Sequence, residues 1–197
     1  MARYSEAMKR AIAASCGLLL TLGTGSAMAA QTSEPATFPP ASPEASPSME
    51  EGAMRLTSTA FEHEGDIPAR FTCDGEDISP ALSIEGLPAE TVSLVLVMDD
   101  PDAPVGTWDH WVEYDIEPLT EIPEAVETLG TPGVNSWDRT GYGGPCPPSG
   151  THRYFFAVYA LDTTLGWEPG AAKVSVLGEI HDHILAEATL LGFYSRE

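Results

Sequence analysis

The chain has 197 residues, 30 acidic and nine basic, for a formal charge of −21, and 43% of it is hydrophobic. That length suits one globular domain with or without a targeting segment, and the apolar content excludes wholesale disorder and an integral membrane protein. So strong a polyanion lacks the basic patch needed to hold DNA, RNA or an anionic lipid face, which excludes nucleic-acid partners.

The charge is unevenly spread. Residues 1–29 carry Arg3, Lys9 and Arg10 against Glu6, whereas the rest carries −23 and keeps Lys173 as its one lysine. A basic start, an apolar run over residues 11–22 and the small-x-small triplet Ala27-Met28-Ala29 read as a secretory signal peptide. The run is shorter than the roughly 20 residues that span a bilayer, so no transmembrane segment is expected after cleavage, and a periplasmic or secreted location follows. Residues 30–52 are rich in Pro, Ser and Glu and almost free of apolar side chains. They read as a disordered linker, because nothing in them offsets the entropy of ordering. Cys16 leaves with the leader, and two cysteines remain. In an oxidising compartment Cys73–Cys146 is a candidate disulfide, with two independent buried thiols as the alternative.

Residues 53–197 form the folded domain and read as mainly β. Residues 56–61 and 81–84 are weak strand candidates. Residues 92–98, VSLVLVM, form a continuous apolar run ended by Asp99-Asp100-Pro101, as in a strand buried on both faces. Residues 112–116, VEYDI, alternate as a half-buried strand does. Residues 153–161, RYFFAVYAL, have the aromatic and aliphatic content of another strand. Leu177, Ile180, Ile184, Ala188 and Leu191 recur at spacings of three and four, which predicts one late helix with an apolar stripe. Several strands and a single helix suggest a sandwich.

The chemistry-bearing residues gather in two segments. Residues 99–111 place Asp99, Asp100, Asp102, Asp109 and His110 in and around a proline-stiffened loop. His110 shares parity with Val112, Tyr114 and Ile116, so it is expected to face the packed side, where an imidazole needs a hydrogen-bond partner. Asp99 and Asp109 read equally well as solvated turn residues. Residues 141–154, GYGGPCPPSGTHRY, form a rigid Gly/Pro loop leading into a strand that puts His152 and Tyr154 on one face. Backbone N–H groups of such a loop suit an oxyanion. His181 and His183, two apart on the predicted helix, point too far apart to chelate one metal. There is no GxSxG, HExxH, P-loop or GxGxxG motif.

DPDAP at residues 100–104 with WDHW at 108–111, and GPCPPSGTHRY at 144–154, resemble the two signature regions of the phosphatidylethanolamine-binding protein family. FTCDGEDISPAL at 71–82 and HILAEATLLGFYSR at 183–196 are similar to its bacterial YbhB/YbcL-type, Raf-kinase-inhibitor-like branch. Ile84 and Glu113 depart from the pattern, where a Trp and an apolar residue are usual. The resemblance implies a two-sheet antiparallel β-sandwich with a C-terminal helix and a small pocket at one end. It implies a pocket for a small anionic or phosphorylated ligand, lined by Asp100, His110, Gly144, His152 and Tyr154, with Asp102 bracing the loop. It also places Cys73 and Cys146 in loops near that pocket, where a bond would staple them.

The resulting expectation is an exported binding protein without catalytic residues, cofactor or metal, which regulates or inhibits a protein partner. Two alternatives stand beside it. One is a hydrolase that uses Asp100, His110 and His152 as a metal site or acid–base pair. The other is a periplasmic protease inhibitor that acts through the surface around the pocket.

Overall fold

A computed structural model describes residues 53–127 and 129–197; the expected leader (1–29) and linker (30–52) lie outside the described residues. Among the described residues there are nine strands: β1 (Arg55–Ser58), β2 (Gly65–Asp66), β3 (Leu82–Glu85), β4 (Ser93–Asp100), β5 (Trp108–Ile116), β6 (Glu121–Ile122), β7 (Thr131–Pro132), β8 (Gly150–Leu161) and β9 (Ile184–Arg196). One helix, α1 (Lys173–Ile180), precedes β9. The strands form a three-stranded sheet in the order β1-β3-β6 and a six-stranded sheet in the order β2-β9-β8-β4-β5-β7. Every pairing is antiparallel except the two-residue β2–β9 contact.

The continuous apolar run of β4 is explained by two cores. Leu94, Leu96 and Met98 pack with Leu56, Leu82, Ile84 and Ile122 between the sheets. Val95 and Val97 face the other way, toward Val176 and Ile180 of α1. Each such side chain contributes about 2 kcal/mol when buried, so a strand used on both faces has no room for polar alternation.

The late helix is shorter than its stripe predicts. It stops at Ile180, a 3-10 turn spans His181–His183, and residues from Ile184 onward run as the longest strand. A spacing of four satisfies a period of two as well as 3.6, and along β9 the period of two wins. Ala188, Leu190 and Gly192 are buried while Glu187 and Thr189 are exposed, and β9 pairs with β8 along nearly its whole length. His181 and His183 therefore sit on an exposed turn, with His183 Nδ1 2.8 Å from Asp162.

Strand β5 also departs from simple alternation. Its register with β4 slips twice: Met98 pairs with Trp111 and Asp99 with Asp109, which leaves His110 as the extra residue, and a second slip falls between Glu113 and Ile116. Asp115, at φ +52°, sits in that second bulge. Val112 and Tyr114 therefore join the α1-side core, whereas Trp111 and Ile116 join the inter-sheet core. His110 does not share a face with Val112 and Tyr114, as parity predicts; the bulge turns it inward beside Trp111.

Asp99 and Asp109 are not solvated turn residues. Lys173 Nζ, at the first turn of α1, lies 2.8 Å from Asp99 Oδ2 and also bonds Asp109. Burial pulls the lysine pKa down, but its hydrogen bonds to Asp109 and Asp99 outweigh this and hold it above its ordinary value. Glu113 is 5% exposed, accepts from Trp111 Nε1 at 3.1 Å, and keeps Oε2 without a partner. Burial raises its pKa.

Candidate functional site

Three segments converge where β4 ends and β8 begins. Pro101 cannot extend the β4 ladder, so the chain leaves the sheet in a loop over residues 101–107. Asp100 Oδ1 accepts the Asp102 N–H at 2.8 Å. Asp102 in turn accepts from the Arg153 backbone N–H, Nε and Nη2 at 3.0, 2.9 and 2.7 Å. These bonds, the Arg153 side chain first, hold the Asp102 pKa down to about 2. Asp102 is thus placed as a clip between this loop and β8.

The Gly/Pro loop is fastened to residues 71–77. Tyr142 Oη donates to the Phe71 carbonyl at 2.7 Å, and the Cys73 N–H donates to the Pro145 carbonyl at 3.2 Å. Cys73 and Cys146 form a disulfide, so the alternative of independent thiols is discarded. Gly144 has a different task from the one the resemblance implies. Its N–H donates to Asp77 Oδ1 at 2.7 Å, and it lies outside the wall of the cavity described below. A Cβ there would meet the Phe71 carbonyl oxygen at 2.5 Å and Thr72 Cα at 2.8 Å, both backbone atoms. Gly144→Ala is therefore expected to lower stability by about 2 kcal/mol through overpacking, read as a shifted denaturant midpoint. An unchanged midpoint would show that the loop moves freely.

A cavity of about 240 Å³ opens between these loops. Its polar wall is Asp100, His110 and His152; its apolar wall is Ala103, Pro104, Val105, Trp108, Trp137 and Pro148, with Cys146 beside them. Asp100 is 3% exposed, His110 2% and His152 7%. His110 Nδ1 donates to the Gly143 carbonyl at 2.7 Å, and His152 Nδ1 donates to Asp100 Oδ2 at 2.7 Å. With both Nδ1 atoms committed, Nε2 is the nitrogen through which either ring meets a ligand. Burial lowers the His110 pKa, only partly opposed by the Gly143 carbonyl and Asp100, which favours the neutral ring. The Trp108 indole N–H is buried and has no acceptor among the described residues.

Tyr154 stands just behind this wall. It is fully buried, its ring lies edge-on to His110 at 5.3 Å, and its hydroxyl makes no well-formed hydrogen bond among the described residues. Burial, and then the Asp100 carboxylate, push its pKa well up. Of the five pocket residues implied by resemblance, Asp100, His110 and His152 line the cavity, Tyr154 backs it and Gly144 supports it from outside.

Trp137 is the residue that sequence reasoning overlooked. Its ring is edge-on to His110 at 4.9 Å and to Trp108 at 5.4 Å. The loop that carries it closes on Asn135, whose N–H donates to the Arg139 carbonyl and whose Oδ1 accepts the Trp137 N–H. A buried Asn that organises a turn leaves the signal NSWDR, with an aromatic residue placed where turns usually carry small polar ones.

The arrangement does not favour the hydrolase alternative. Both Asp100 oxygens are spent on protein donors, and no three His, Cys, Asp or Glu side chains among the described residues are placed to hold a metal ion. No helix among the described residues is long and apolar enough to cross a membrane.

Comparison with known proteins agrees with this geometry. The chain is 51% identical over 150 residues to a UPF0098 protein of Methanothermobacter thermautotrophicus, covering 73% of this chain and 99% of the relative. It superposes on the crystal structure of CT736 from Chlamydia trachomatis, described as a homologue of phosphatidylethanolamine-binding protein, with a TM-score of 0.72 and 40% identity, covering 74% of this chain and 99% of that one. The corresponding values for Escherichia coli YbcL are 0.68, 26%, 73% and 99%. Residues 57–195 match the model of the family named phosphatidylethanolamine-binding protein, and the chain belongs to that family.

Proposed function

We propose that this chain is an exported binding protein whose cavity takes a small anionic, phosphate-type group. The observation that carries the reading is the pair of buried imidazoles, each oriented by its Nδ1 bond and each with Nε2 left for a ligand. The unmet indole N–H of Trp108 suits an oxyanion acceptor in the same wall. Export is supported by the composition of residues 1–29 and by a disulfide, which is rare in reducing compartments. In this reading the protein binds its ligand without transforming it, since both Asp100 oxygens are already held by protein donors.

His152→Ala is expected to weaken inorganic phosphate binding tenfold or more, roughly the worth of one charge-assisted hydrogen bond, measured by calorimetry on the exported chain. Undiminished binding would overturn the reading. Affinity for sulfate, whose charge is constant from about pH 8 to about pH 5, gives the pH dependence free of ligand titration. His110 is held neutral by burial, and an anion favours its protonated form, so binding takes up a proton. Sulfate affinity should therefore rise as pH falls below the ordinary histidine range. A flat profile would remove the imidazoles from the site.

A further inference from the structure

The cavity poses an electrostatic problem for the ligand just proposed. Asp100 is buried in its wall, burial disfavours charge on His110, and the body around it is strongly acidic. An anion that approaches such a site needs a cation whose charge is not already neutralised. Arg70 is paired with Glu76 and Glu124, Arg153 with Asp102, Lys173 with Asp99 and Asp109, and Arg196 with Asp74.

Arg139 differs. It forms no ion pair with any described residue, including the adjacent Asp138, and its guanidinium lies over the Trp137 ring at 5.3 Å from the centroid. Trp137 is a wall of the cavity and touches His110 with its edge. A second observation places the same guanidinium independently. A Cβ built on Gly143 would lie 3.1 Å from Arg139 Nη2, and Gly143 supplies the carbonyl that orients His110. The loop is also firm, since buried Asn135 accepts the Trp137 N–H and bonds the Arg139 carbonyl. A cation stacked on a side chain that walls the cavity, exposed to solvent and without an ion pair among the described residues, stands where it can meet charge that a ligand leaves at the mouth.

We propose that Arg139 is a specificity-determining residue that makes this pocket select doubly charged tetrahedral anions, such as phosphomonoesters, over singly charged ones. The proposal rests on the anion-pocket reading. Coulomb energy scales with the product of charges, so the free energy Arg139 contributes to a dianion is twice its contribution to a monoanion. In affinity the larger factor is the square of the smaller: roughly ninefold against roughly threefold, if the ligand charge sits about 6 to 7 Å from the guanidinium in water-like dielectric.

The test titrates the exported chain, as wild type, Arg139→Gln, Arg139→Lys and His152→Ala, with sulfate as the dianion and methanesulfonate as the monoanion, at constant ionic strength. Arg139→Gln should lose about ninefold for sulfate and about threefold for methanesulfonate, and Arg139→Lys should retain most of both. The glutamine effect should shrink at about 1 M salt, where the Debye length falls to about 3 Å, which a merely structural role would not produce. Melting temperatures of the Arg139 variants should match wild type, because the side chain is exposed and supports no core contact. Equal losses for the two anions, or none, would overturn the proposal while leaving the pocket intact if His152→Ala still weakens binding tenfold or more. Failure of the wild type to bind either anion would overturn both readings together.

Discussion

Replacing Cys73 and Cys146 together by serine is expected to lower stability by about 4 kcal/mol and the melting temperature by about 10 °C. The bond joins residues 73 apart in sequence, and closing a loop of that size removes roughly 4 kcal/mol of unfolded-chain entropy. For a domain of this size each kcal/mol moves the melting temperature by about 2–4 °C. The variant should also bind phosphate more weakly, because Cys146 lies in the cavity wall and anchors Pro148 beside it. Calorimetric melting of the double variant, with the reduced wild type alongside, measures the first effect. A melting temperature within about 2 °C of the oxidised protein would show that the backbone bonds between residues 71–77 and the Gly/Pro loop hold this region unaided.

The second large effect is expected at Lys173. Asp99 and Asp109 are directly paired across β4 and β5, and like charges so placed repel. Lys173 lies between them, its side chain 13% exposed. Lys173→Met removes the cation and leaves two carboxylates uncompensated, a change expected to cost about 3 kcal/mol. Adding Asp99→Asn and Asp109→Asn to the same chain should recover most of that loss, since neither amide then needs a counter-charge. The measurement is a urea midpoint for each variant. A triple variant no more stable than Lys173→Met would show that the lysine acts through α1 packing and not through charge.

Much of the sheet was legible because its central strands carry unmistakable local signals. Residues 92–98 and 153–161 read as strands from composition alone, and both form central strands of the larger sheet. Residues 184–191 read as the end of a helix because Ile184, Ala188 and Leu191 continue the spacing of Leu177 and Ile180, and only pairing with β8 settles the choice. Tertiary pairing overrides local periodicity here. The site was legible where a motif carried it: Asp100, His110 and His152 line one cavity. The inward turn of His110 followed from the wrong premise, since a bulge leaves no mark in the period of the side chains. Trp137 and Arg139 were not legible, because a turn organised by one buried Asn brings them to the cavity from more than 20 residues beyond β5's first signature.

The larger sheet ends on both sides in strands of two residues, β2 and β7, and Pro132 in β7 lacks a backbone donor. Neither of these two short strands itself offers a row of unmet backbone groups long enough to template another strand. A macromolecule gains little by extending the sheet from β2 or β7, the route by which many sandwich domains capture extended peptides. Side chains are then the readier means of recognition, and the mouth of the cavity, with Trp137 and the 78%-exposed Val105 in its wall and Arg139 stacked on Trp137, is where side chains of unlike chemistry stand together.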